Sequence, residues 1–414
     1  MEGKIKMESV STKKILELNG RKITLIGTAH VSPQSIQETR ESIQEDCPDC
    51  VAVELDSGRY DSMMNAEKYR DLDIVAVLKR GEALLVLANL VLGSFQKRMG
   101  QNVGVKPGDE MKAAIEIAGE KNIPFELVDR PIKVTLNRAW AKNSFWGKCK
   151  LLSALIASAF SKEEVSAEEI ESLKNQNEMD SMMRELSEFL PTVKEVLIDE
   201  RDYFLAAKIW ECKASDGNAA QKVTAVLGAG HLPGVQKHLE EIARGEENTD
   251  TQEIAFVPKK TLGAKIAGWT IPVLIVALIA AGFYFGGKRL GTKMLGSWVA
   301  WNSILAALGT LLAAGHPISI LVAFVGAPFT SLCPFIGVGF LAGIVQALVK
   351  KPKIKDIETL SEDAGSLKGF YSNRITRVLL VFFLSSIGSS IGTFVAGASI
   401  VKALTAAVMK LFGK

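Results

Sequence analysis

Ile23-Thr24-Leu25-Ile26-Gly27-Thr28-Ala29-His30 and Val223-Thr224-Ala225-Val226-Leu227-Gly228-Ala229-Gly230-His231 read alike: an apolar, strand-like run, then Gly-x-x-His, then a helix-like continuation. Two of the four histidines therefore stand in equivalent local settings. Glycine at a strand end allows a sharp turn, and the third residue after it can carry its imidazole across the strand ends, where open α/β sheets hold ligands. A third run, Cys50-Val51-Ala52-Val53-Glu54-Leu55-Asp56, has the same buried-strand pattern between Pro48 and Gly58. It carries Glu54 within its apolar stretch, a costly place for a carboxylate unless it is paired or holds a metal. A single strand-end histidine is as a rule a hydrogen-bonded structural residue. The repeat together with the carboxylate argues instead for His30, Glu54 and His231 as metal ligands with open coordination positions, suited to Zn, Mn, Fe or Co.

These residues resemble a known family. Gly27-Thr28-Ala29-His30-Val31-Ser32, the Val-Glu-Leu-Asp run at 53–56, Glu200-Arg201-Asp202 and Gly228-Ala229-Gly230-His231-Leu232-Pro233-Gly234 are together similar to the TraB/PrgY family of pheromone-shutdown proteins, relatives of the Tiki membrane metalloproteases. The resemblance covers about the first 245 residues and then the apolar remainder. It implies metal and catalytic roles for His30, Glu54 and His231, and an Arg201 that faces the site, with or without Glu200. The implied activity is metal-dependent hydrolysis of a peptide or related amide, in a signal-peptide or pheromone setting. The alternative is a non-catalytic membrane protein that binds or sequesters a peptide signal or partner through the same pocket.

The expected fold is α/β (α+β) with a mixed sheet in residues 1–258, including a helical insertion at about 131–215, followed by an all-α transmembrane domain in 259–414. Ser32-Pro33 opens a helix to about Glu45, because serine caps free amides and proline fits the first turn. Helical patterns follow at about 61–80 and 109–121. Ile123 to Pro131 reads as a short strand closed by proline. Its end places Asp129 and Arg130 on the rim of the site, where Arg130 either binds a substrate carboxylate or oxyanion or pairs with Asp129 or Glu54. Within the insertion, Ser166-Ala167-Glu168-Glu169 resembles a capping box and Pro191 marks a break. Glu200, Arg201 and Asp202 stand amid apolar residues at successive helix positions, so they cannot share one solvent-facing side; by pattern alone, Arg201 reads as a structural salt bridge. Residues 83–93 are apolar all round but too short to span a bilayer, and 144–160 has a similar apolar excess. Both fit a helical subdomain core, a dimer interface or a membrane-facing position.

Charge and composition bound the rest. The 414-residue chain carries a net charge of +3, with no basic stripe interleaved with aromatics, which argues against nucleic acid as a partner. Five scattered cysteines make no disulfide framework, and Cys47-Pro48-Asp49-Cys50 lacks the second pair that a zinc site needs. Charged residues crowd the first 260 positions, whereas apolar runs dominate from Ala267 onward. Spans are expected at 266–287 and 294–315, across 316–349 as two short helices or a re-entrant hairpin, and at 378–400 with a short helix to Phe412. That gives four to six spans, with five as the working number, in the cell membrane. The charged 350–377 loop and the lack of a signal-like apolar core at the N-terminus place the first domain in the cytoplasm. No acidic residue falls within the expected spans, which argues against a proton- or cation-coupled carrier. Small residues at Gly388, Ser389, Ser390, Gly392 and Gly397 point to close helix packing and a homodimer.

Overall fold

The computed structural model describes residues 13–28, 33–64, 74–80, 108–144, 187–258, 262–333, 336–411 and 413, with single positions within 83–90 and 146–153. His30, the Ser166–Glu169 box and most of 144–160 lie outside the described residues. The chain divides into two compact units, one formed by 1–69 with 92–258 and the other by 70–91 with 259–414.

The first unit is built on a five-stranded sheet in the order β1-β2-β5-β3-β4. β1 (Lys13–Leu18) and β2 (Arg21–Thr28) form an antiparallel hairpin closed by Asn19-Gly20, both with positive φ, the backbone that a tight two-residue turn demands. Helix α1 (Pro33–Asp46) follows, then β3 (Cys50–Val53) and α2 (Ser57–Met64). Helix α3 (Ile74–Lys79) belongs to the second unit. Helix α4 (Asp109–Glu120), β4 (Phe125–Leu127) and α5 (Ile132–Lys142) come next. Helix α6 (Pro191–Lys194) runs through a π-helical turn at Glu195–Asp199 into α7 (Glu200–Trp210). Strand β5 (Lys222–Gly228) enters the middle of the sheet, parallel to β2 on one side and β3 on the other, with Thr28 opposite Gly228. A single 3-10 turn, Ala229–His231, then opens α8 (Leu232–Ala243).

Both faces of this sheet are covered, so its strands read as nearly continuous apolar runs. Leu25, Ala52, Val223, Ala225 and Leu227 pack with Leu205, Ile209, Val235 and Leu239 of α7 and α8. Ile26, Val51, Val53 and Val226 pack on the other side with Ile43, Met111, Ala114 and Ile117 of α1 and α4. Alternate residues thus serve opposite layers. The sheet is mixed, as the sequence implies, through its antiparallel edge strand β1. The carboxyl ends of the four parallel strands lie along one rim.

The second unit is helical. Its first stretch, α9 (Leu262–Leu312), is broken at Gly287, whose φ of 65° suits glycine. The chain doubles back there, because a Cβ on Gly282 would lie 2.3 Å from the Met294 sulfur, and Ile275 packs with Trp298. Two short apolar helices follow, α10 (Pro317–Thr330) and α11 (Val338–Val349), which is the division that the prolines and glycines of 316–349 predict. The charged loop contains short helical turns, and α12 (Arg374–Leu411) runs unbroken where the sequence reading breaks it near residue 400. No proline interrupts 378–411, and its glycines are used for packing. A Cβ on Gly388 or Gly392 would meet the Leu305 or Trp301 carbonyl oxygen at 2.1 or 2.7 Å. The stripe read above for self-association is therefore engaged within the chain at Gly388, Ser389 and Gly392. Helix α3 packs here too, with Ala83 beyond it: Ile74, Val77, Leu78 and Ala83 cluster with Ala347, Ile375, Val378 and Leu379. Among the described residues, Ile266–Leu312 and Arg374–Leu411 are long and apolar enough to cross a membrane.

Candidate active site

The rim formed by the ends of β2, β5, β3 and β4 gathers Glu54, Asp129, Arg201, Asp202 and His231. Glu54 follows β3 directly, its backbone N–H donating to the Val226 carbonyl at 3.1 Å, and its side chain is 3 % exposed. Oε2 accepts a 2.6 Å hydrogen bond from the Gly228 N–H, and Oε1 accepts one of 2.7 Å from Arg201 Nη2. Arg201 also donates to both oxygens of Asp129, at 3.1 and 2.8 Å. Burial, the largest influence on Arg201, works against its charge. Asp129 and Glu54 outweigh that effect, so its pKa is raised and the guanidinium is held charged.

His231 ends the 3-10 turn after β5. Its Nδ1 lies 2.5 Å from Asp202 Oδ1, and its Nε2 is 3.6 Å from Glu54 Oε1. An Nδ1–H donated to Asp202 leaves the Nε2 lone pair directed toward Glu54. Burial raises the Asp202 pKa despite the pull of His231. The two glycines of the repeated motif do different work from the sharp turn expected of them. Gly228 has an ordinary extended backbone, at φ −63° and ψ 136°. A Cβ on Gly27 would stand 2.4 Å from Leu232 Cδ1, so this glycine makes room for the residue after His231.

One pair of atoms in the cluster has a spacing that a metal ion could use. Two ligand atoms held at about 2.1 Å in tetrahedral geometry are separated by roughly 3.4 Å, close to the His231–Glu54 spacing. Three buried carboxylates (Glu54, Asp129 and Asp202) face one partly buried guanidinium, that of Arg201, with Arg59 3.8 Å from Asp129 at the edge. This excess of negative charge favours a cation. Asp202 behind His231 has the position from which a second carboxylate orients a metal-binding imidazole. Two further buried oxygens near the strand ends, Asp56 Oδ2 and Thr28 Oγ1, have no hydrogen-bond partner among the described residues. Asp56 spends its other oxygen capping α2 at the Gly58 and Arg59 amides.

The structure brings Glu54, Arg201 and His231 together, while His30 lies outside the described residues. It does not bring Arg130 to this cluster. Arg130 is fully buried, and its guanidinium donates to Glu200 Oε2 (2.7 Å), the Val196 carbonyl (2.8 Å), the Ile254 carbonyl (3.0 Å) and Thr135 Oγ1 (3.0 Å). Its partner is Glu200, not Asp129 or Glu54. Glu200 also receives Arg138 and Lys142, and these cations overcome the effect of burial to hold its pKa at about 2. The π turn ahead of α7 feeds three consecutive side chains to three destinations: Glu200 to the arginine pair, Arg201 to Glu54, and Asp202 to His231. Asp202 is the residue whose role the sequence reading missed; the only signal was its place in an otherwise apolar helix.

Residues 13–246 match the TraB/PrgY/gumN family, and residues 263–405 match the C-terminal domain of TraB family proteins. An uncharacterised protein of Methanocaldococcus jannaschii is 35% identical over 378 residues, covering 90% of this chain and 93% of that protein. TraB domain-containing proteins of Mus musculus and Homo sapiens are 28% and 27% identical, covering 66% and 67% of this chain and 75% and 77% of their own. With the family match running through both units, the chain belongs to the TraB/PrgY/gumN family.

Proposed function

We propose that this is a membrane-anchored, metal-dependent hydrolase acting on a peptide or related amide. The observation that carries the reading is the 3.6 Å approach of His231 Nε2 to Glu54 Oε1, with Asp202 bonded to the far side of the imidazole. His231 and Glu54 would hold the ion, with His30 from the equivalent motif as the third ligand. A zinc, manganese, cobalt or iron ion there would supply Lewis-acid polarisation of a substrate carbonyl. The chain's own residues do the rest. Glu54, where it does not complete the ligand set, would instead act as general base; Asp202 holds the ring of His231, and Arg201, kept charged by Asp129 and Glu54, stands beside Glu54 to balance developing negative charge. The two arms of α9 and the long α12 serve as full membrane spans. α10 and α11, with 14 and 12 residues, are too short to cross singly. In this arrangement the first unit is cytoplasmic and the lipid-embedded unit pairs two copies through faces other than the Gly388–Gly392 side.

A second reading, peptide capture without hydrolysis, is favoured by one observation: both oxygens of Glu54 are already bonded, to Arg201 and to the Gly228 amide. Full-length protein in detergent, loaded with zinc and offered a fluorogenic peptide library, separates the two. Hydrolysis in the wild type that Glu54→Gln and His231→Ala abolish supports the enzyme. Zinc content equal in wild type and His231→Ala overturns the ligand assignment, and undiminished turnover in Glu54→Gln returns Glu54 to a structural role.

A further inference from the structure

Helix α8 carries a second histidine, His238, seven residues beyond His231 and thus about 10 Å down the helix axis. Glu241 follows one turn later on the same face, and Glu247 comes back to them from the segment after the helix. His238 Nδ1 lies 2.8 Å from Glu247 Oε2 and 3.5 Å from Glu241 Oε2. One ligand atom from each of the three lies within 4.8 Å of the other two. A single ring nitrogen thus faces two carboxylates, although one N–H can serve only one of them well.

The two spacings from His238 are close to those of a coordination shell. Ligand atoms at about 2.1 Å from a common ion are separated by roughly 3.0 Å at octahedral and 3.4 Å at tetrahedral angles. The charges agree as well, since two carboxylates and a neutral imidazole balance a divalent ion. The three side chains are 17 to 29 % exposed, which leaves a path for the ion while excluding most water.

A separate feature adjoins them. Glu247 also lines a cavity of about 450 Å³, shared with Tyr203, Glu246, Asn248, Asp250, Glu253 and Ile254. The Tyr203 hydroxyl lies within 3.1 Å of three oxygens there (the Asn248 carbonyl, Asn248 Oδ1 and the Asp250 carbonyl), and it can donate to only one. Arg244 is turned to Glu246 at 2.9 Å and Lys237 stands 3.9 Å from Glu241.

We propose that His238, Glu241 and Glu247 form a divalent-cation site, separate from the His231 cluster, for a borderline transition ion such as Zn2+ or Mn2+. Imidazole with two carboxylates is the ligand set such ions accept. The bound ion clamps the segment 244–258 to α8. That segment is held at its other end by Arg130 and Arg138, which donate to the carbonyls of Glu253, Ile254 and Phe256. In the chain it is the connection to α9.

The test uses full-length protein in detergent, stripped with a chelator and titrated with Zn2+ by calorimetry. The His231→Ala protein serves as background, so that the site described earlier does not contribute. One equivalent of Zn2+ is expected in that background. His238→Gln or Glu247→Gln added to it should weaken the binding about tenfold or more. A second readout is trypsin cleavage at Arg244, which Zn2+ should slow in the His231→Ala protein and leave unchanged once His238→Gln is added. Both added substitutions are at partly exposed positions, and matched circular dichroism spectra establish folding. Equal Zn2+ uptake with and without His238→Gln and Glu247→Gln, or no Zn2+ uptake in the His231→Ala protein, overturns the proposal.

Discussion

Gly234→Ala is the substitution that best isolates the link between packing and chemistry. Gly234 lies in the first turn of α8 where it crosses α7, and a Cβ there would sit 1.9 Å from Asp202 Oδ2, 2.5 Å from its Cγ and 2.8 Å from its Cβ. An ordinary contact is about 3.5 Å, so either the helices separate or the Asp202 carboxylate swings by about 1.5 Å. The bond from Asp202 to His231 measures 2.5 Å and does not survive such a shift. Overpacking of this kind costs about 1–3 kcal/mol, and the lost charge-assisted hydrogen bond adds about 1.5–3 kcal/mol. For a unit of this size a loss of about 3 kcal/mol lowers the melting temperature by roughly 6–12 °C. Once its imidazole is no longer oriented, the site should bind Zn2+ about 10–100-fold more weakly. Thermal unfolding and Zn2+ titration of the full chain in detergent measure both effects. A Gly234→Ala protein that melts with the wild type and binds Zn2+ equally well refutes the claim that this glycine holds Asp202 in place.

Asp202→Asn should keep the fold yet reduce Zn2+ affinity about 10–100-fold, read by competition with a chromogenic chelator. Glu200 titrates at about 2 instead of its ordinary 4.5, so its ion pairs stabilise the fold above about pH 4.5, and that contribution, about 1–3 kcal/mol, is lost as the pH falls from there toward 2. Denaturant melts between pH 6 and 3 should show a slope that Glu200→Gln flattens. Arg130→Met leaves Glu200 short of one buried partner and should destabilise by about 3–5 kcal/mol in chemical unfolding, with Zn2+ binding at His231 unchanged in the protein that remains folded. Gly119 is exposed in α4, and a Cβ there would meet nothing within 4 Å, so Gly119→Ala should add about 0.5–1 kcal/mol of stability in the same assay. A chain cut after residue 258 strips Ile74, Val77, Leu78 and Ala83 of their partners, and it should aggregate unless 70–91 is also replaced by a short polar linker, as size-exclusion chromatography would report.

The strands of the sheet's interior and the helix after Ser32-Pro33 were legible because each has a local signature: apolar runs bounded by glycine or proline, and a proline at a first helical turn. β1 had a signature too, in Asn19-Gly20, but it opens on two lysines and alternates only over Leu16-Glu17-Leu18. Glu54, Arg201 and His231 could be picked out because a charge or an imidazole in an apolar run stands out. Their partners could not. That Asp202 faces His231 and that Arg130 faces Glu200 depend on the rotation of α7, which the π turn at Glu195–Asp199 sets, and no residue there announces such a turn. The placement of α3 with the helices of the second unit was equally hidden, since a short apolar helix reads the same whichever core it joins.

The position of β5 has a temporal meaning. The central strand of the sheet is the last to be made, some 170 residues after the neighbour on one side and nearly 200 after the other. Until it arrives, β2 and β3 have no common partner, and each presents a row of unpaired amides and carbonyls. Glu54 lacks the Gly228 amide, and His231 has not yet been translated. A growing chain therefore carries an open, sticky half-sheet until residue 222 is made and completes this cluster in one late step, a few tens of residues ahead of α9. Assembly of the site and emergence of α9, which holds one of the two stretches long and apolar enough to cross a membrane, are therefore close to simultaneous in synthesis.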